Sequence, residues 1–174
     1  MIGPTHPEHT ILRGAGMALF FAMTLVVIAP GGLEEAVGPS VAEAQGGGGP
    51  YNTNGTRFAI GGYDVVAYFT DRQPTRGSEE HSVRWGGRTW LFASAEHAAQ
   101  FEERPRRYAP QYGGYCAFAM ADGRAVRIDP NAWSIVRGKL YLNYSLDVRR
   151  RWNGDRASYI AQADEKWPEV RRGL

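Results

Sequence analysis

Only one cysteine, Cys116, occurs among the 174 residues of the chain. That scarcity excludes an intramolecular disulfide framework and any multi-cysteine zinc site, so the fold rests on packing. A strong excess of one charge is missing too. Twenty Lys and Arg stand against 18 Asp and Glu, and the first 44 residues hold Arg13 against Glu8, Glu34, Glu35 and Glu43, which leaves 19 basic and 14 acidic side chains beyond them. A surplus so small and so interspersed with acids does not make a nucleic-acid surface, and no nucleic-acid partner is expected. There is no glycine-rich phosphate loop of the required form, no paired-histidine metalloprotease helix and no haem-attachment motif. These absences lean against an enzyme, and no residue is assigned a catalytic role. No internal repeat is visible. With 43% hydrophobic and 22% charged residues, the composition suits one small globular domain.

Gly14 to Leu33 is free of charge, is most apolar between Ala18 and Ile28, and follows Arg13. Pro30-Gly31-Gly32 breaks the run, and Ala42-Glu43-Ala44 supplies the small-x-small pattern that signal peptidase requires. Residues 1–44 therefore read as a signal peptide. The alternative is an uncleaved N-terminal anchor, since about 20 apolar residues span a bilayer, and only then is a membrane contact expected. Either reading places the folded part outside the cytoplasm, in the periplasm or secreted. His6 and His9 belong to the segment expected to be lost. Residues 45–56, rich in glycine and turn formers, read as a flexible linker, with an ordered domain over 57–170.

Within that domain, Asp64 to Phe69 reads as a short helix capped by Asp64 or as a strand. Gly86-Gly87 joins His81–Trp85 to Arg88–Phe92 as a hairpin, pairing Trp85 with Arg88, Val83 with Trp90 and His81 with Phe92 on one buried face. Ser94 is placed to cap a helix from Ala95 to about Glu103, ended by Pro105, on which His97 lies one turn before Phe101. Tyr112 to Met120 fits helix or strand, and in both Cys116 and Met120 share a face. Val126 to Ile128 reads as a strand, and Asp129-Pro130 as the start of a helical turn. A second hairpin runs from Ser134 through Arg137-Gly138 to Tyr144. Two helices close the chain, capped by Ser145 and Asp155, and the second carries the stripe Tyr159, Ile160, Ala163 and Trp167. The expected class is α+β, a small single domain with two β-hairpins and flanking helices.

These residues resemble the YHS-domain family, in particular its exported bacterial members. The likeness rests on Gly61-Gly62-Tyr63-Asp64 with Val66 to Phe69, on Phe92-x-Ser94, on Phe101, Pro105 and Tyr108, and on Gln111 to Ala117. It continues through Asp129-Pro130-x-Ala132-Trp133 and Gly138 to Tyr144 to Tyr159-Ile160, Ala163-Asp164 and Trp167-Pro168. The resemblance implies a hairpin-plus-helix module, YHS-like, in which some relatives are thought to bind metal through thiols. Those thiol positions correspond here to Ala67, Ala93 and His97, so only His97 carries a ligand side chain.

The candidate metal ligands are accordingly Cys116, His97, His81 and Met120. A thiolate, a thioether and imidazoles together select Cu(I) over harder ions, which makes copper the expected cofactor if these groups meet. The competing expectation is that Cys116 is a buried small hydrophobe, that each histidine packs or bonds the backbone, and that the tryptophans are core. Three functions follow: an exported non-enzymatic binding module for copper or another soft metal ion; a metal-free ligand- or protein-binding domain that has lost the family thiols; and a thiol-dependent enzyme or redox protein. N-terminal sequencing of the protein from its native host is expected to begin near Gln45. Recovery of Met1 in the membrane fraction overturns cleavage.

Overall fold

The computed structural model describes residues 50–174. The export segment, the Ala42-Glu43-Ala44 site, His6, His9 and the first part of the linker lie outside the described residues. Among the described residues no helix is long and apolar enough to cross a membrane. The architecture is α+β. It contains two antiparallel two-stranded hairpins, β1 (Ser78–Trp85) with β2 (Arg88–Phe92) and β3 (Asp129–Val136) with β4 (Lys139–Asn143). Around them lie α1 (Ala67–Thr70), α2 (Ala95–Glu103), α3 (Pro105–Tyr108), α4 (Ala117–Met120), α5 (Leu146–Gly154) and α6 (Arg156–Arg172).

The first hairpin turns where expected, because Gly86 and Gly87 both adopt positive φ, 60° and 77°, as a two-residue turn with the twist of its strands requires. Trp85 pairs with Arg88 and Val83 with Trp90. The expected pairing of His81 with Phe92 is corrected: the register shifts between Ser78 and Ser82, so Phe92 faces Ser78 and His81 falls in the irregular stretch. An extra-residue irregularity of this kind bends a strand and re-aims its side chains. Nor is only one face of β2 covered, since Leu91 is buried along with Trp90 and Phe92.

Two further expectations fail nearby. Val126 to Ile128 joins no strand, and Asp129-Pro130 begins β3 rather than a helical turn. Asp129 faces Asn143 at the far end of the second hairpin, where backbone pairing outweighs the local cap-then-proline signal. Ordered structure also begins before Arg57. Asn52 is buried, its N–H donates to the Gly113 carbonyl, its Nδ2 to the Gly114 carbonyl, and its own carbonyl accepts from Ile60 N. A turn-forming composition marked the segment as a loop, and tertiary hydrogen bonds fix it.

The chain is internally repeated, contrary to the expectation from sequence. β1 and β2 correspond to β3 and β4, with Ser78 at the place of Asp129 and Trp85 at that of Val136. The irregularity recurs at the same point, since the register shifts between Asp129 and Trp133. Ser94 and Ser145 each cap the following helix, accepting from His97 N and Val148 N at 3.2 Å. Upstream of each hairpin stands the same left-handed turn: Ile60, Gly61 and Gly62 at φ 53°, 65° and 78°, then Tyr112, Gly113 and Gly114 at 54°, 61° and 77°. The two turns pack closely, for a Cβ on Gly114 would lie 2.2 Å from Ile60 Cδ1. Along the matched hairpin and helix few side chains coincide, chiefly Gly87 with Gly138, Leu91 with Leu142 and Ser94 with Ser145. What recurs is backbone geometry and burial.

Each half packs an aromatic from its strand on an aromatic from its helix. Trp90 meets Phe101 with ring centroids 5.0 Å apart, and Tyr141 meets Trp152 at 5.1 Å. The α6 stripe closes on the second half, with Ala163 fully buried and Tyr159, Ile160 and Trp167 packed beside it. Truncating a buried aromatic removes transfer energy and leaves a cavity, about 3–5 kcal/mol for Phe or Trp to Ala. Trp90→Ala and Trp152→Ala are expected to lose that much in chemical denaturation. An unchanged midpoint in either variant would contradict the packing.

Candidate functional site

Asp64 is completely buried yet carries a carboxylate, and burying such a group is costly unless it is fully hydrogen-bonded. Four donors reach it. Oδ1 accepts from Val66 N at 2.8 Å and Ala67 N at 3.2 Å, which settles the segment as the helix α1 with Asp64 at its entrance. Oδ2 accepts from Ala93 N at 2.9 Å and lies 2.7 Å from His97 Nδ1. One side chain thus joins α1, the end of β2 and the first turn of α2.

The other ring nitrogen of His97 points outward. Nε2 is 3.2 Å from Thr70 Oγ1 and 3.9 Å from Asp71 Oδ1. A carboxylate on Nδ1 fixes the ring and its tautomer, leaving Nε2 as the acceptor for the Thr70 hydroxyl. The order carboxylate, imidazole, hydroxyl is that of a general-base relay. The Val66 carbonyl, 3.3 Å from Thr70 Oγ1, is a second acceptor inside α1 that competes with Nε2 for the single hydroxyl proton. The cavities lined by Ile135 to Asp164 and by Pro50 to Arg171 include neither Thr70 nor His97.

Cys116 has a different setting. It is 1% exposed and belongs to the core cluster of Ile60, Trp90, Phe92, Leu140 and Leu142. Its Sγ lies 3.8 Å from Asn143 Oδ1, which also accepts from Phe118 N at 3.2 Å. Met120 is one helical turn on, its N–H bonded to the Cys116 carbonyl, but its side chain packs in the other cluster with Trp152, Tyr141 and Ala163. His81 is half-buried in β1. Among the described residues no group of three or more His, Cys, Asp or Glu is placed to hold a metal ion.

The repeat explains Cys116. Asp64 corresponds to Cys116, and Phe92 to Asn143. In the first half the carboxylate stands upstream and bonds Val66 N, with Phe92 opposite. In the second half the polar group has crossed the contact, so that Asn143 bonds Phe118 N and the small apolar thiol stands upstream. His97 has Val148 as its counterpart, and the imidazole is present only where there is a carboxylate to bind. Thr70, Asp71 and Asn143 carry no sequence signal, because each acts through a partner distant in the chain.

A hydrogen bond to a charged group contributes about 1.5–3 kcal/mol. Asp64→Asn is expected to cost at least about 2 kcal/mol, by turning a donor toward Ala93 N or His97. In a double-mutant cycle followed by urea unfolding, His97→Ala is expected to cost less in the Asp64→Asn background than in the wild type; additive losses would show that the pair is not coupled. No family model matches this chain, and no curated protein or solved structure matches it either.

Proposed function

We propose that the domain is an exported, non-enzymatic binding module of the YHS type that works without a resident soft-metal ion. The observation carrying this reading is the commitment of the candidate ligands to the fold: Asp64 holds His97 Nδ1, and Cys116 stands buried beside Asn143, as the counterpart of Asp64. A Cu(I) centre needs soft donors converging on one ion. Cys116 and Met120 pack in separate clusters, and alanines occupy two of the three family thiol positions, so the residues present do not fit that group.

A thiol enzyme is likewise disfavoured. A nucleophilic cysteine needs a base within hydrogen-bond reach, and the neighbour of Cys116 is a carboxamide oxygen, which takes up no proton at ordinary pH. Export rests on the sequence order of the N-terminal segment, and the resemblance to exported YHS-domain proteins agrees with it.

Titration of the reduced protein with Cu(I) against a competing chelator tests the reading. Wild type and Cys116→Ser are expected to compete equally weakly, with Cys116→Ser losing about 1–3 kcal/mol of stability from a hydroxyl in an apolar site. Tight binding that disappears in Cys116→Ser, and weakens in Met120→Leu and His97→Ala, would overturn it and restore the copper site.

A further inference from the structure

The two halves differ in one niche. In the first half, the tip of the hairpin and the segment after α2 enclose the ring of Tyr51, which packs on Trp85 and Trp90 with centroids 5.3 and 5.0 Å away. Its backbone carbonyl accepts from Arg88 Nε at 3.4 Å. A Cβ on Gly86 would lie 2.6 Å from Tyr51 Cε2, so glycine makes room for the ring there. Arg106 of α3 stands at the rim.

The matching positions of the second half are Val136 for Trp85, Arg137 for Gly86, Lys139 for Arg88, Tyr141 for Trp90 and Ala157 for Arg106. All five line a cavity of about 460 Å³, completed by Ile135, Arg156, Ile160 and Asp164. Among the described residues no aromatic takes the place of Tyr51. The wall is apolar at Val136, Tyr141, Ala157 and Ile160, and Arg137, Lys139 and Arg156 stand around it. None of these three cations forms an ion pair among the described residues. The acid of the lining, Asp164, is exposed, and its Oδ1 accepts from Tyr112 Oη at 2.8 Å. Arg137 is near enough to lower the pKa of Tyr141, against the larger upward effect of burial.

We propose that this cavity binds a planar aromatic monoanion, an aryl carboxylate or sulfonate, whose ring takes the position that Tyr51 holds in the first half and whose charge meets Arg137, Lys139 and Arg156. A cavity of this size suits a one- or two-ring ligand. An apolar body with one anionic end matches an apolar wall with a cationic rim. The inference deepens the binding-module reading and rests on it, but the two fail separately, because copper binding at Cys116 leaves this cavity intact.

Calorimetric titration of the full chain with 2-naphthoate, and with 2-naphthylmethanol and 2-naphthylmethylammonium as neutral and cationic controls, tests it. Naphthoate is expected to bind at one site, at least tenfold more tightly than either control. Ala157→Trp, at an exposed position of α6, fills the cavity and is expected to weaken naphthoate at least tenfold with an unchanged thermal unfolding curve. Arg137→Ala is expected to weaken naphthoate severalfold without affecting the alcohol. Absence of naphthoate binding at millimolar concentration, or equal binding by wild type, Ala157→Trp and Arg137→Ala, would overturn the proposal. Equal affinity for the alcohol would overturn the assignment of an anion.

Discussion

A carboxylate with no exposure to solvent organises the first half of this domain. Burying a carboxylate is costly unless its acceptor sites are filled, and the four groups that fill those of Asp64 belong to three separate elements. The entrance of α1, the end of β2 and the first turn of α2 are therefore held at fixed distances from one atom pair. Trp90, Phe92 and Phe101 then pack in the space those elements bound. In such a site each bond matters more than its surface equivalent, because a lost partner leaves a buried charge uncompensated.

The second half solves the same problem with a neutral group. Asn143 supplies the acceptor for Phe118 N from the strand side, and no charge needs compensation. A thiol then suffices where the carboxylate would stand, and valine where the histidine would stand. The features that looked most chemical in isolation, a lone cysteine and a histidine near a helix start, are on this view two solutions to a single packing requirement. Chemistry is better sought where the halves part company without structural compensation, as they do at the niche beside each hairpin tip.

The repeat also bears on how the halves are joined. Asn52 bonds both left-handed turns at once, taking the Gly113 and Gly114 carbonyls with its two N–H groups and offering its own carbonyl to Ile60. The short segment before the first turn thereby serves both halves, and Tyr51 enters the niche as the neighbour of that clasp. The asymmetry follows from the topology. One N-terminal segment can place a ring in only one of the two niches.

Much of the local structure was legible in the residues. Gly86-Gly87 and Arg137-Gly138 marked the hairpin turns, Ser94, Ser145 and Asp155 marked helix starts, and the Tyr159, Ile160, Ala163 and Trp167 stripe faces the second core, because turn chemistry, capping and periodicity act over a few residues. The register irregularities were not legible, since they depend on what covers Phe92 and Asn143, and so His81 was placed opposite the wrong partner. The repeat was hidden for a related reason: it conserves φ angles, cap bonds and burial while exchanging the side chains that meet those needs. Sequence alone determined the class, the two hairpin turns and the starts of α2, α5 and α6. Only the tertiary structure decided that Asp64 binds His97, that Cys116 lies against Asn143, and that one niche holds Tyr51 while its counterpart forms a cavity, because each depends on contacts between residues far apart in the chain.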